Sequence, residues 1–346
     1  MGDRPASVPF GQRPPAPRPA NRRQDRGPPV RGHWPHARHY AALDLGTNNC
    51  RLLIARPQGG GFQVVDAFSR IVRLGEGLAA TGRLSDEAIE RTIAALRVCA
   101  DKLKRRDVAL ARSVATEACR RASNGAEFIQ RAYRETGILL DIISAKEEAR
   151  LAVMGCHLLL ESGQGPAMVF DIGGGSTELV LVDTLSQVPA ILDWHSAPWG
   201  VVSLTESVGQ AGPETYAAMR ARVRESFAAF AARLPAVPGR RRLLGTSGTV
   251  TTLASVHLKL TSYDRSAVDG LLMPTAAMRE VSRRIAALDM AGRSKVPCIG
   301  VERADLVVAG CAILEEILDL WPAEQLGIAD RGIREGILRR LMGTRQ

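Results

Sequence analysis

Paired cysteines and long apolar runs are both missing from this sequence. Its six cysteines, at positions 50, 99, 119, 156, 298 and 311, form no C-x-x-C pair, which argues against a disulfide framework or a zinc site and favours a reducing compartment. The richest apolar stretch, Asp305 to Trp321, is interrupted by Glu315 and Glu316, so no segment reaches the ~20 residues of a membrane span. No apolar segment follows the basic N-terminus as in a secretory signal. We expect a soluble, cytoplasmic protein with no membrane contact.

Lysine is absent from the first 39 residues, and acids are nearly so. This segment holds nine of the 19 prolines, eight arginines and only two acids, so it carries +6 of the net +10. A Pro/Arg-rich stretch with few aliphatic residues buries too little surface to fold, and we expect residues 1–39 to be a disordered tail. Its arginines could contact a polyanion such as RNA or polyphosphate. The alternative is a tolerated extension without a role.

Strand and helix patterns alternate from Tyr40 onward, and 346 residues leave room for about two domains. Short apolar runs predict strands, and longer amphipathic stretches predict helices. The strands are expected at 41–45, 139–143, 167–171 and 242–245, and the helices at 85–106, 124–136, 144–160, 214–233 and 329–341. This order is typical of an α/β protein.

A motif is duplicated in the chain. Residues 43–54, LDLGTNNCRLLI, align without a gap with residues 170–181, FDIGGGSTELVL, 127 positions later. Both copies predict a strand, an Asp-x-Gly turn and a second strand. Small turn residues leave backbone N–H groups free to bind an anion, and an aspartate at a strand end can orient water or hold a hard cation. Two such turns can grip a phosphate chain from opposite sides.

A third glycine-rich element, residues 244–254 (LGTSGTVTTLA), follows a short predicted strand and opens a predicted helix. A helix N-terminus presents free N–H groups and a positive dipole end to an anion. The sequence has neither a Walker lysine motif nor G-x-G-x-x-G, which disfavours P-loop and Rossmann folds.

These motifs together resemble the exopolyphosphatase/guanosine pentaphosphate phosphohydrolase (Ppx/GppA) family. The resemblance is carried by the two Asp-x-Gly turns, by SAKEEARL at 144–151 and by GTSGT at 245–249, and it extends from about Tyr40 to Leu341. It includes Tyr263-Asp264, ERAD at 302–305 and GIREG at 332–336. The resemblance implies the two-domain actin/sugar-kinase/Hsp70 superfamily (ribonuclease H-like) fold with a central cleft. We assign residues 40–168 to domain I and 169–328 to domain II, with a C-terminal helix within 329–346 returning to domain I.

The glutamates after Ser144 are expected to divide their roles. Ser144 and Glu147 fit a capping box, in which Glu147 bonds back to the helix start. Glu148 is turned about a hundred degrees away and left free. The residues alone favour reading both glutamates as favourable N-terminal helix charges. The resemblance reverses this preference and implies that Glu148 is the catalytic base.

Phosphate and metal ligands are also expected. Asp44 and Asp171 are candidates to hold Mg²⁺, partly through water; their alternative role is to brace the turns by accepting backbone N–H bonds. The resemblance assigns Arg120 to phosphate contact, with a solvated surface arginine as the alternative. The other residues matching the family's phosphate loops are Gly46, Thr47, Asn48, Asn49, Gly173, Gly174, Gly175, Ser176 and Glu178.

The resemblance implies hydrolysis of the terminal phosphoric anhydride of inorganic polyphosphate, with guanosine pentaphosphate (pppGpp) as the alternative substrate. A kinase or a nucleotide-regulated binding protein of the same fold is the alternative of another class. The chain ends about ten residues after Gly336, without the further helical domains of long family members, which puts a preference for very long polyphosphate in question. Oligomeric state is left open, with a homodimer as the candidate.

Overall fold

Two mixed β-sheets with related strand orders build the protein. The structure, a computed structural model, describes residues 38–343 except 162, 164, 186–188, 210–212 and 237–238. The expected tail therefore lies outside the described residues, apart from Arg38 and His39.

The first sheet has the order β3-β2-β1-β4-β5. Its strands are β1 (His39–Leu45), β2 (Asn49–Gln58), β3 (Gly61–Ile71), β4 (Val108–Ala115) and β5 (Leu140–Ile142). The helices between them and after them are α1 (Leu78–Thr81), α2 (Asp86–Arg105), α3 (Glu117–Arg121), α4 (Gly125–Thr136) and α5 (Ala145–Cys156), which ends in a 3₁₀ turn, His157–Leu159.

The second sheet has the order β10-β11-β9-β6-β7-β8. Its strands are β6 (Ala167–Ile172), β7 (Thr177–Asp183), β8 (Ala190–Ala197), β9 (Arg242–Thr246), β10 (Leu272–Pro274) and β11 (Gln325–Ala329). The helices are α6 (Val201–Val208), α7 (Pro213–Ala231), α8 (Gly248–His257), α9 (Arg265–Val268), α10 (Thr275–Ala287), α11 (Met290–Ser294), α12 (Val307–Leu320) and α13 (Ile333–Leu341).

The sequence duplication is a duplication of topology. In the first sheet β1, β2 and β3 form an antiparallel meander, and β4 and β5 continue from β1 in parallel. In the second sheet β6, β7 and β8 repeat the meander, and β9 and β11 repeat the parallel pair. The two Asp-x-Gly turns join β1 to β2 and β6 to β7. They therefore occupy equivalent places in the two sheets.

The predicted elements are confirmed, with different ends. Strands lie over all four apolar runs, and helices α2, α4, α5 and α7 lie over four of the amphipathic stretches. Residues 157–160 leave the α-helix predicted at 144–160. The helix predicted from Ala329 is wrong at its start, because Ala329 ends β11 and α13 begins at Ile333. There the Glu335 carboxylate accepts the Gly332 N–H at 2.8 Å, which satisfies a free N–H at the helix start.

Helix α13 packs on the first sheet although it follows a strand of the second. Ile333, Ile337 and Leu338 share an apolar cluster with Tyr40 and Leu53. Its contact with α5 is close: a Cβ on Gly336 would lie 2.1 Å from the Leu151 carbonyl oxygen. Helix α13 therefore contacts the first sheet, in agreement with what the family resemblance implies for the C-terminal helix. The division into two domains stays a prediction, and its boundary at 168 and 169 falls inside β6.

The most apolar helix belongs to the interior. Helix α12 is buried along nearly its whole length, in a core shared with α7, α8, α10 and the second sheet. Within the described residues, no helix combines the length and hydropathy that a membrane span requires.

Candidate active site

The two Asp-x-Gly turns meet face to face. Each is closed by the same hydrogen bond, from Gly46 N–H to the Asn49 carbonyl and from Gly173 N–H to the Ser176 carbonyl, both at 2.9 Å. A Cβ on Gly175 would lie 2.6 Å from Thr47 Oγ1, so only glycine allows this approach. The turns therefore form one continuous wall from two separate sheets.

A cavity of about 140 Å³ lies at this junction. Glu148 and all the predicted loop and metal residues line it, so the structure brings together twelve of the thirteen predicted site residues. Arg120 is the exception and lies outside the lining. Several buried polar atoms at this wall have no partner among the described residues, namely Asp44 Oδ1, Thr47 Oγ1 and Asn48 Oδ1. Such atoms favour a polar ligand, since unpaired buried polar groups are costly.

Five carboxylate side chains line the cavity. Burial raises the pKa of Asp171 to about 8 and that of Glu178 to about 7. Burial also raises the pKa of Asp44 and raises that of Glu148 well above its usual range, with the Glu178 charge adding to the effect on Glu148. Since desolvation and like charges both disfavour ionised carboxylates, the site gains from a cation.

The donors fit magnesium better than a tightly chelated metal. Among the described residues no group of three or more His, Cys, Asp or Glu side chains is placed to enclose a metal ion. Mg²⁺ keeps several waters and takes one or two carboxylates together with phosphate oxygens. The unpartnered Asp44 Oδ1 and the buried Asp171 meet that requirement. No hydrogen bond of either carboxylate to a backbone N–H is found among the described residues, so turn bracing receives no support there.

The paired glutamates differ from the expectation in both members. Ser144 caps α5 by accepting the Glu147 N–H at 3.2 Å, but the Glu147 carboxylate binds Arg112, Arg150 and Arg340 at 2.9 to 3.1 Å instead of the helix start. Glu148 is buried and is not free, since Arg120 donates to its Oε2 from two nitrogens at 3.2 Å. Both glutamates are therefore bound by arginines from other segments of the chain, and Glu147 also by Arg150 of its own helix.

Arg120 is not the solvated surface arginine of the alternative, and its contact with phosphate stays a prediction. It is half-buried rather than solvated, and its guanidinium binds Glu117, Glu148 and the Ile143 carbonyl. Glu117 and Glu148 line the cavity while Arg120 does not. Arg120 therefore binds two carboxylates that line the cavity.

Several lining residues were not singled out from the sequence. Arg51 lies opposite Asp44 in the β1–β2 register, just as Glu178 lies opposite Asp171, so the repeat alignment itself pointed to this position. Arg303 belongs to the ERAD stretch and donates to Thr252 Oγ1 at 2.8 Å. Glu117 carried no motif signal beyond its place after the end of β4. Ser247, Gly248 and Thr249 of the third glycine-rich element also line the cavity.

The start of α8 faces the cavity as the third element predicted. Ser247 caps the helix by accepting the Val250 N–H at 3.1 Å, and Ser247, Gly248 and Thr249 are all in the lining. The free backbone N–H groups at this helix start add positive potential for an anion to a cavity that is lined by carboxylates.

Two related sheets that meet at paired Asp-x-Gly turns over a carboxylate-lined cavity define an α/β protein class with solved members. A Ppx/GppA family member from Aquifex aeolicus superposes with a TM-score of 0.73 at 28% identity, covering 89% of this chain and 99% of that one. An exopolyphosphatase from Cytophaga hutchinsonii gives a TM-score of 0.80 at 22% identity, with coverage of 89% and 99%. The fold class is confirmed.

The chain belongs to the Ppx/GppA phosphatase family, whose model matches residues 53–345. It is 34% identical over 319 residues to Exopolyphosphatase 2 of Mycobacterium tuberculosis, covering 88% of this chain and 98% of that protein. It is 30% identical to a guanosine-5'-triphosphate,3'-diphosphate pyrophosphatase of Aeromonas hydrophila, of which it spans 60%. The predicted family is therefore confirmed.

Proposed function

We propose that this protein is a phosphoric-anhydride hydrolase that releases orthophosphate from the end of inorganic polyphosphate. The observation that carries the proposal is the pair of equivalent turns with Glu148 beside them in one cavity. The M. tuberculosis relative, named an exopolyphosphatase, matches nearly end to end. The Aeromonas relative, named for a guanosine nucleotide, keeps pppGpp as the second candidate substrate.

The chemistry needs a positioned water, a base and charge neutralisation on the phosphate oxygens. Glu148 is the proposed base, because it is a buried carboxylate at the cavity with only Oε2 hydrogen-bonded among the described residues. Turn residues Thr47, Asn48 and Gly173 to Ser176 are proposed to hold neighbouring phosphates. The Arg51 and Arg303 side chains supply positive charge to the same cavity.

Magnesium is the proposed cofactor. Asp44 and Asp171 would hold it, with water and substrate oxygens completing the coordination, and the ion would neutralise charge on the phosphate oxygens. The raised carboxylate pKa values support a cation here.

Location, assembly and the tail stay proposals as well. All six cysteines are unpaired, which supports a reducing compartment such as the cytoplasm. A homodimer is the proposed assembly if the protein is not monomeric. The tail is proposed to attract long polyanions through its eight arginines, an attraction that must weaken with salt.

Phosphate release with water as the only acceptor tests the function. The protein is incubated with polyphosphate, pppGpp or ATP and Mg²⁺, and orthophosphate is measured. We expect release from polyphosphate, and Glu148→Gln to lower kcat by ~10²-fold or more, since it removes a base and keeps the shape. Release that requires a second substrate would instead identify a kinase.

Glu147→Gln is the matched control on the same helix turn. Because Glu147 binds three arginines outside the cavity, we expect this variant to keep kcat and lose about 1 kcal/mol or less of stability. An inactive Glu147 variant together with an active Glu148 variant would reverse the assignment.

A further inference from the structure

Arg303 reaches the active-site cavity from a short loop. The Arg303 loop, defined as residues 302–305, lies between α11 and α12 and belongs to no helix or strand. Arg303 lines the cavity, and its Nη1 donates to Thr252 Oγ1 on α8 at 2.8 Å. Because a loop lacks the repeated hydrogen bonds of a helix or a sheet, the position of its side chains depends on contacts from neighbouring elements.

Arg293 holds this loop from the protein interior. The residue lies on α11 and is only 2% exposed. Its Nε donates to the carbonyl of Ala304, the residue directly after Arg303, at 2.8 Å. Its Nη1 donates to the carbonyl of Leu288, which lies just before α11. Since a guanidinium is planar and its donors have fixed directions, one side chain ties the Arg303 loop to the chain in front of α11.

Stabilisation by an ion pair does not explain this buried arginine. Both of its hydrogen bonds given above go to backbone carbonyls rather than to carboxylates. Burial lowers the pKa of Arg293, and the charges of Asp289 and Asp305 only oppose that shift. A buried charge without a hydrogen-bonded carboxylate costs stability. What the side chain provides is therefore the attachment of the loop.

We propose that Arg293 is a positioning residue that holds the Arg303 side chain at the active-site cavity through the Ala304 carbonyl. The proposal rests on the proposed function, in which Arg303 supplies positive charge to the substrate phosphates. When the loop shifts, the distance from the Arg303 guanidinium to those phosphates grows and the attraction weakens. An interaction made equally with the bound substrate and with the transition state changes KM rather than kcat.

The test is steady-state kinetics of wild type, Arg293→Lys and Arg303→Gln with polyphosphate and Mg²⁺. Lysine keeps the charge but lacks the planar fork that binds two carbonyls at once. We expect Arg293→Lys to raise KM about threefold or more and to change kcat less than about twofold. Arg303→Gln should raise KM at least as much. The double variant should be no worse than Arg303→Gln alone, because Arg293 acts through Arg303.

The matched control is Arg242→Lys. Arg242 is also a buried arginine, 4% exposed, whose Nη1 and Nη2 donate to the Glu161 and Gly165 carbonyls. It lies at the first residue of β9, whereas the cavity-lining Ser247 follows the last residue of that strand. We expect Arg242→Lys to lower the urea midpoint of unfolding about as much as Arg293→Lys does, and to leave KM and kcat unchanged.

A second variant and a second measurement do not depend on turnover. Arg293→Gln removes the buried charge and keeps one short donor, and we expect it to raise KM as Arg293→Lys does. Equilibrium binding of polyphosphate is measured in the Glu148→Gln background with and without Arg293→Lys, under conditions where urea unfolding shows each variant to be folded. Affinity should fall about threefold or more.

Four outcomes would overturn the proposal. These are unchanged KM and affinity in the folded Arg293 variants, a normal KM for Arg303→Gln, strictly additive effects in the double variant, and loss of folding in both Arg293 variants while Arg242→Lys folds. The last result would assign Arg293 to stability alone. Wild type that releases no phosphate from polyphosphate or pppGpp would instead refute the proposed function, a result visible before any variant is compared.

Discussion

Asp44 and Asp171 show how much charge a few residues concentrate in this cavity. Both are carboxylates at the ends of strands β1 and β6, and burial raises the pKa of each. Glu148 and Glu178 add two more acids nearby, against the lining arginines Arg51 and Arg303. A polyanionic substrate would meet excess negative charge here unless a cation were present.

Asp171→Asn and Asp44→Asn are therefore expected to raise the Mg²⁺ concentration needed for half-maximal activity, because each removes charge from the proposed cation site. Phosphate release is measured against a Mg²⁺ series, with Asp101→Asn on the outer face of α2 as the control. Unchanged Mg²⁺ dependence in both cavity variants would leave these aspartates without a metal role.

At the scale of elements, strand β3 is tied to helix α2 by one carboxylate. Asp66 binds Lys102 at 2.7 Å and Arg106 at 2.9 Å. The hydrogen bond from Lys102, followed by that from Arg106, lowers the pKa of Asp66 to about 2. A depressed carboxyl pKa stabilises the folded state above the ordinary pKa, and the stabilisation is lost as the pH falls through the folded value.

Asp66→Asn is expected to cost less than about 1 kcal/mol at pH 7, since partly exposed ion pairs are weak. The difference from wild type should narrow below about pH 4 and be lost only below about pH 2, where Asp66 becomes protonated in the folded state as well. Urea unfolding across this pH range measures it. The difference should also shrink at high salt. A pH-independent difference would mean that packing, not charge, accounts for the loss.

At the scale of the whole molecule, an ion pair joins the segment after β3 to the loop before α12. Arg73 Nη1 binds Asp305 Oδ2 at 2.9 Å, two residues beyond the cavity-lining Arg303. The segment that carries Arg73 also contacts the first Asp-x-Gly turn. The Arg73 N–H donates to the Asn48 carbonyl at 3.0 Å, and the Gly75 N–H donates to the Thr47 carbonyl at 2.9 Å. The pair thus links the first turn to the loop before α12.

Arg73→Gln and Asp305→Asn are each expected to raise the KM for polyphosphate severalfold, because the loop that carries Arg303 loses its attachment to the first turn. The double variant should be little worse than either single one, as residues in direct contact are coupled. A double-mutant cycle on kcat/KM measures this. Strictly additive effects would show that the two side chains act separately.

Sequence alone predicted the type and order of the main elements and the candidate site residues. The spacing of apolar residues and the residue types of the turns are local properties of the sequence. The repeat 127 positions apart implies two equivalent turns but does not show that they meet in the fold. The family resemblance then predicted Glu148 as the base, and the turn residues predicted Asp44 and Asp171 as metal ligands; the structure places all three at one cavity. Arg51 was predictable in principle, because the repeat aligns it with Glu178.

The partners of those residues were decided only by tertiary structure. Glu147 binds Arg340, 193 positions away, rather than its own helix start, because α13 returns beside α5. Arg120 binds Glu117 on its own helix α3 and Glu148 on α5, 28 positions away. A charged side chain pairs with an opposite charge that tertiary packing brings near it. The local sequence pattern does not encode which distant segment supplies that partner.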